Sequence, residues 1–205
     1  MTLPAQEKET GRIEAFSDGV FAIAITLLIL EVKVPHLAEE GSARSLAAAL
    51  AALWPSYVAF LTTFVTIFIM WANHHAIFNF VWRSDAPFKY ANGLLLLLVT
   101  FVPFPTAVLA EYLERPAAPV AAAFYAGTFV LIGLAFDVLW RAAIRGRRLL
   151  RAHVSEATIA AFAKSYRLGV PGYLAATAAA FANVFLSVGI CAVLAAYWIV
   201  VGRKG

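Results

Sequence analysis

Arg12, Ser17 and Asp18 stand at the entrance to a largely apolar run that continues to Leu30, and a second apolar run carries His74 and His75 side by side. These residues have the means to pair charges, pass a proton or draw in a cation. An uncompensated Asp inside a bilayer costs roughly 2–3 kcal/mol or more, so Asp18 requires a partner. Adjacent residues on a helix point about 100° apart, so His74 and His75 converge poorly on one ion, and neither a resident metal nor a cofactor is expected. The chain holds no nucleophile elbow, zincin helix or phosphate-cradling loop, and its acids are too scattered for a catalytic pair. An enzyme is therefore not expected.

The elements that position these residues are membrane helices. Of 205 residues, 62% are hydrophobic and 14% charged, with a mean hydropathy of +0.81, which excludes an ordinary soluble domain. Apolar runs fall at 16–32, 49–79, 90–110, 118–140, 166–182 and 184–201, each near or above the ~20 residues a crossing needs. The fold class is an all-α membrane protein with six transmembrane helices. Gly169-Val-Pro-Gly172 interrupts the fifth and Asn183 is a thin boundary, so five helices, one of them long and broken, is the competing count.

Charge sets the orientation. With six spans and both termini inside, thirteen of the sixteen Lys and Arg residues face the cytoplasm; only Lys33, Arg44 and Arg115 lie outside. That asymmetry describes a multi-pass protein of the cell (inner) membrane. A pI near 9.4 in a soluble protein would suggest nucleic acid. Here the basic residues flank span ends, so anionic lipid headgroups are the expected partner and nucleic acid is not. Glu7, Glu9 and Glu14 offset Lys8 and Arg12 in the leader, unlike a signal peptide, so the first span is expected to be retained. The single Cys191 leaves no disulfide framework. Residues 1–205 read as one membrane domain, with a mobile tail at 1–11. A basic inner connection at 141–164 contains an amphipathic stretch that starts helix-like at Ser155-Glu156. So small a unit has little interior of its own, which favours homo-oligomers.

The first span carries two stripes. Phe16, Val20, Ile23, Leu27 and Leu30 form a bulky apolar face, and Ala15, Gly19, Ala22 and Thr26 a small one. Gly19 and Ala22 are expected to receive another helix. By itself the bulky face reads as lipid-facing. The second span descends antiparallel and brings His74 and His75 to the depth of Asp18. A polar lock joining Arg12, Asp18 and one histidine is the functional reading; a structural hydrogen-bond cluster is the plainer one.

Arg12-x-x-x-Phe16-Ser17-Asp18, followed by Gly-Val-Phe-Ala-Ile-Ala-Ile-Thr-Leu-Leu, resembles the signature of the endosomal and lysosomal potassium channel family, also called transmembrane protein 175. Trp71-Ala-Asn-His74-His75-Ala-Ile-Phe78, Asn92-Gly-Leu-Leu-Leu-Leu and Phe101-Val-Pro-Phe-Pro105-Thr106 extend the likeness over residues 12–110. The resemblance is to the prokaryotic branch. It implies one six-helix unit per chain, four chains around a central pore, and a pore lined by the first helix. It places the hydrophobic constriction, and hence selectivity, at Ile23, Leu27 and Leu30, turning the bulky stripe inward. It also implies a pore threonine at Thr26 and a supporting cluster of Arg12, Phe16, Ser17, Asp18 and His75, with His74 the other candidate.

Such a ring is about 10 Å long at helical rise and cannot coordinate a cation. It discriminates by width and dehydration and closes by dewetting, as a hydrophobic gate. Potassium sheds water more easily than sodium, so a potassium channel of modest selectivity is expected, with K+ as the permeant ion and no cofactor. Asp18 and Glu31 near the two mouths are candidates to enrich cations. The competing reading is a proton-coupled transporter or proton-conducting protein using Asp18, His74 or His75, with Asp137 in the fourth span as a further carboxylate. The plainer reading of Asp137 is pairing near the inner interface beside Trp140 and Arg141.

Overall fold

A computed structural model describes residues 4–37 and 42–202. The described residues are helical, apart from their connections and one isolated bridge between Val81 and Leu150. In order they form α1 (Pro4–Leu27), a 3-10 turn (Leu28–Glu31), α2 (Ala43–Ala52), α3 (Trp54–Phe80), α4 (Ala86–Phe101) and α5 (Pro103–Tyr112). There follow α6 (Ala118–Ile144), a second 3-10 turn (Arg145–Arg147), α7 (Glu156–Tyr166), α8 (Gly169–Ala179) and α9 (Val184–Gly202).

Polar side chains and prolines set these boundaries. Asp85 caps α4 by accepting from the Phe88 amide at 3.0 Å, Ser155 caps α7 by accepting from Thr158 at 3.1 Å, and Asn183 accepts from Leu186 at 3.0 Å to start α9. Each oxygen satisfies an amide that lacks an intrahelical partner. Pro103 removes one ladder donor, but Val102 keeps helical dihedrals (φ −54°, ψ −38°), so α4 and α5 form one bent span. Gly146 adopts φ +61° beyond the end of α6, in the left-handed region that glycine enters at no steric cost.

Among the described residues, four stretches are long and apolar enough to cross a bilayer by themselves: Thr10–Glu31, Trp54–Phe80, Ala86–Tyr112 and Ala118–Arg147. α8, at 11 residues, is shorter than that, whereas α9 runs 19 residues from Val184 to Gly202. The fifth and sixth apolar runs thus pack together as two helices of unequal length. Polar Arg167 and Gly169 through Gly172 shorten the first, and Gly172 lets it approach α9; a Cβ there would meet Leu194 at 2.8 Å.

Two further boundaries differ from the hydropathy reading. The second apolar run divides at Leu53 into α2 and α3, where Pro55 starts a new helix. α1 begins at Pro4, so residues 4–11, read as a mobile tail, belong to its first turns; Ala5, Gln6, Glu7, Lys8 and Glu9 are all strong helix formers.

α6 occupies the centre of the protomer, against α4, α5, α8 and α9. Tyr125 on α6 shares a buried hydrogen bond with Thr63 of α3 at 3.0 Å, and Thr106 of α5 donates to Thr63 at 3.2 Å. The basic connection folds onto the α3–α4 turn. Trp82 N–H donates to Leu149 C=O and Arg151 N–H to Phe80 C=O, both at 2.9 Å, and Arg148 pairs with Asp85 at 3.1 Å. α1 packs on α3 and α4 only at the edge, and its span is the least buried of the four.

Candidate functional site

Ser17, Phe21, Ala24 and Leu28 recur at spacings of four, three and four, which brings them onto one side of α1. That side faces the protomer: Phe21 is 1% exposed and Leu28 fully buried. Phe16, Ile23, Leu27 and Leu30 form an uncovered flank, with Ile23 58% and Leu30 62% exposed. Gly19, Ala22 and Thr26 lie opposite the buried side and are also exposed. Gly19 has open space where a side chain would point, so among the described residues no helix packs on the small stripe there. The packing face is the Ser17–Leu28 stripe, which the sequence reading did not single out.

α1 gives way to the 3-10 turn after Leu27. In that geometry residues three apart eclipse, so Leu30 stands above Leu27 on one line instead of rotating away. The Thr26 hydroxyl donates to the Ile23 carbonyl at 2.9 Å. At the far end Lys33 lies 3.9 Å from Glu31 and offsets its charge.

Near the other end, a polar chain fixes the buried side. The Ser17 hydroxyl donates to the Ile13 carbonyl at 2.8 Å and accepts from Asn92 Nδ2 at 3.0 Å. Asn92 Oδ1 then faces His74 Nε2 at 2.8 Å. Since Asn92 offers an acceptor, Nε2 carries the proton. His74 is fully buried between the rings of Phe21 and Phe78, with centroids at 5.3 and 4.5 Å. Three helices are thereby tied at one depth.

The proposed Arg12–Asp18–His lock has a different wiring. Asp18 accepts from Trp71 Nε1 at 2.8 Å, and His75 Nδ1 lies 3.0 Å from Glu14. The two histidines diverge, one to Asn92 and the other to Glu14, because adjacent helix positions point apart. Arg12 makes no ion pair with Asp18 among the described residues; it lines a recess of about 510 Å³ with Phe16, Lys89 and Asn92. Asp137 pairs with Arg141 one turn on, at 2.8 Å. Trp71 and Asn92 both stand in the motifs quoted above, but an indole and an amide in apolar runs signal only that they need partners. Glu14 gave no signal beyond its charge.

The comparisons fit this architecture. Residues 12–103 match the family model described as endosomal/lysosomal potassium channel TMEM175. A potassium channel of Chamaesiphon minutus is 56% identical over 94% of this chain and 95% of its own. The chain belongs to the TMEM175 family. The crystal structure of a lysosomal potassium-selective TMEM175 homolog from Chamaesiphon minutus superposes with a TM-score of 0.85 at 54% identity, covering 95% of this chain and 98% of that one. The human relative, named an endosomal/lysosomal proton channel, is 31% identical over 65% of this chain and 28% of its own. TMEM175 is a family of membrane channels and not of enzymes, and this member is a membrane channel protein.

Proposed function

We propose that four copies of this TMEM175 chain surround a central axis, with six membrane helices each and both termini inside the cell membrane, and pass potassium in preference to sodium. The observation that carries this reading is the uncovered apolar flank of α1 beside a side anchored by buried hydrogen bonds. A helix held so firmly on one side presents the other in a fixed orientation. Four copies of Ile23, Leu27 and Leu30 on an axis make an apolar collar. Its length is about 12 Å, from four steps of 1.5 Å and three of about 2 Å in the 3-10 turn. No backbone carbonyl cage serves the ion there, so hydration cost and width decide passage. The exposed Gly19–Ala22–Thr26 side then receives a neighbouring subunit's helix.

The potassium channel name of the Chamaesiphon relative supports the permeant ion. The proton channel name of the human relative supports a second reading, in which Asp18, His74 or His75 carries protons. Against it, Ser17 and His74 are fully buried and His74 is enclosed by aromatic rings. Planar-bilayer recording with asymmetric K+, Na+ and pH separates the readings. Unitary currents reversing near the potassium potential are expected. Currents that follow the proton gradient, or a saturating flux without unitary steps, would replace this reading.

A further inference from the structure

Beyond Leu30 the uncovered flank of α1 ends on a charge. Val32 leaves the 3-10 turn with extended backbone (φ −84°, ψ 95°), its amide donating to the Ile29 carbonyl at 3.1 Å. Lys33 then folds back. Its ammonium donates to the Leu30 carbonyl at 3.2 Å, and its side chain is 75% exposed. The carbonyls at a helix C-terminus lack intrahelical partners and carry partial negative charge, so they draw cations. Here a tethered ammonium already holds the Leu30 carbonyl.

Glu31 does not make this end negative. Residues three apart eclipse in a 3-10 turn, so Glu31 stands over the fully buried Leu28, on the protomer side, and its side chain is 23% exposed. Leu30 stands over Leu27 on the uncovered flank. The Lys33 ammonium lies 3.9 Å from the Glu31 carboxylate, beyond hydrogen-bonding reach, so the two charges offset each other only in part. The acid that its sequence position made a candidate to enrich cations is turned away. The exposed charge beside the collar is a cation.

We propose that Lys33 limits potassium entry at this mouth: its ammonium takes the Leu30 carbonyl that an incoming ion would meet, and four copies lower the local cation concentration. The proposal rests on the pore reading above, with α1 on the axis. Planar-bilayer recording of Lys33→Gln and Lys33→Met at both polarities tests it; both variants keep an unbranched stem and lose the charge. At about 0.05 M K+, where screening extends beyond about 10 Å, current entering through that mouth should rise about threefold. That is less than the roughly tenfold or more that single-sign clefts reach, because Glu31 offsets part of the charge. At about 1 M K+ the screening length is about 3 Å, and the gain should largely vanish. Lys33→Arg, which keeps the charge, should match the parent at both concentrations. Unchanged low-salt current in the neutral variants overturns the proposal, as does a gain that persists at high salt or appears equally in Lys33→Arg. Loss of assembly in both neutral variants would make Lys33 a structural residue and overturn it too. A parent without unitary potassium current would sink the pore reading itself, and this proposal with it.

Discussion

The two long sides of α1 and of the 3-10 turn that continues it are both largely apolar and have opposite surroundings. One side places Phe21 and Leu28 in the protomer core and ends in the Ser17–Asn92–His74 chain. The other leaves Ile23, Leu27 and Leu30 uncovered. In lipid, apolar character alone cannot decide which side packs, because acyl chains are as apolar as leucine. The buried hydrogen bonds decide it: they have strong partners only in one rotation of the helix. The lesson is that the polar residues of this span set its rotation, and that rotation determines which apolar residues are left for other work.

This contrast predicts a graded set of effects. Phe21→Ala should destabilise the protomer most, by about 3–5 kcal/mol, since it opens a cavity beside His74; thermal unfolding in detergent would show a large drop. Asn92→Ala should cost about 1–3 kcal/mol by leaving both Ser17 and His74 short of a partner, and Asn92→Leu should not recover it. Trp71→Phe, which leaves Asp18 without its indole donor, should cost about 1–2 kcal/mol in the same assay. Ile23→Ala should fall within about 0.5 kcal/mol of the parent in stability, yet lower the K+/Na+ permeability ratio. An Ile23→Ala variant as unstable as Phe21→Ala would erase the distinction between the sides.

Much of the fold was legible in the sequence. The positions of four long apolar spans, the helix start at Ser155, the boundary at Asn183 and the antiparallel depth match of α1 and α3 follow from composition and helix geometry. The interruption at Gly169 to Gly172 was legible, but not that α8 starts there and runs only 11 residues, because hydropathy registers the apolar residues on both sides of it alike. For the polar cluster, the residues were visible and the pairing was not. Whether Asp18 meets His74, His75 or Trp71 depends on helix rotations of less than one residue step, and these are set by packing at Phe21, Phe78 and Asn92. At the small stripe the open question is a different one. Gly19 and Ala22 signal close approach, but a sequence cannot say whether the approaching helix belongs to the same chain.

The most direct test of the central claim compares the two sides of α1 in one conducting protein. In a Cys191→Ala background, which removes the one native thiol, Ile23→Cys, Leu27→Cys and Leu30→Cys would each be exposed during recording to a water-soluble, membrane-impermeant thiol reagent, with Phe21→Cys as the buried control. The account predicts stepwise block of the potassium current at the three uncovered positions and none at Phe21. Full current through all three modified positions, or modification only by lipid-soluble reagents, would mean that this flank faces acyl chains and not the ion.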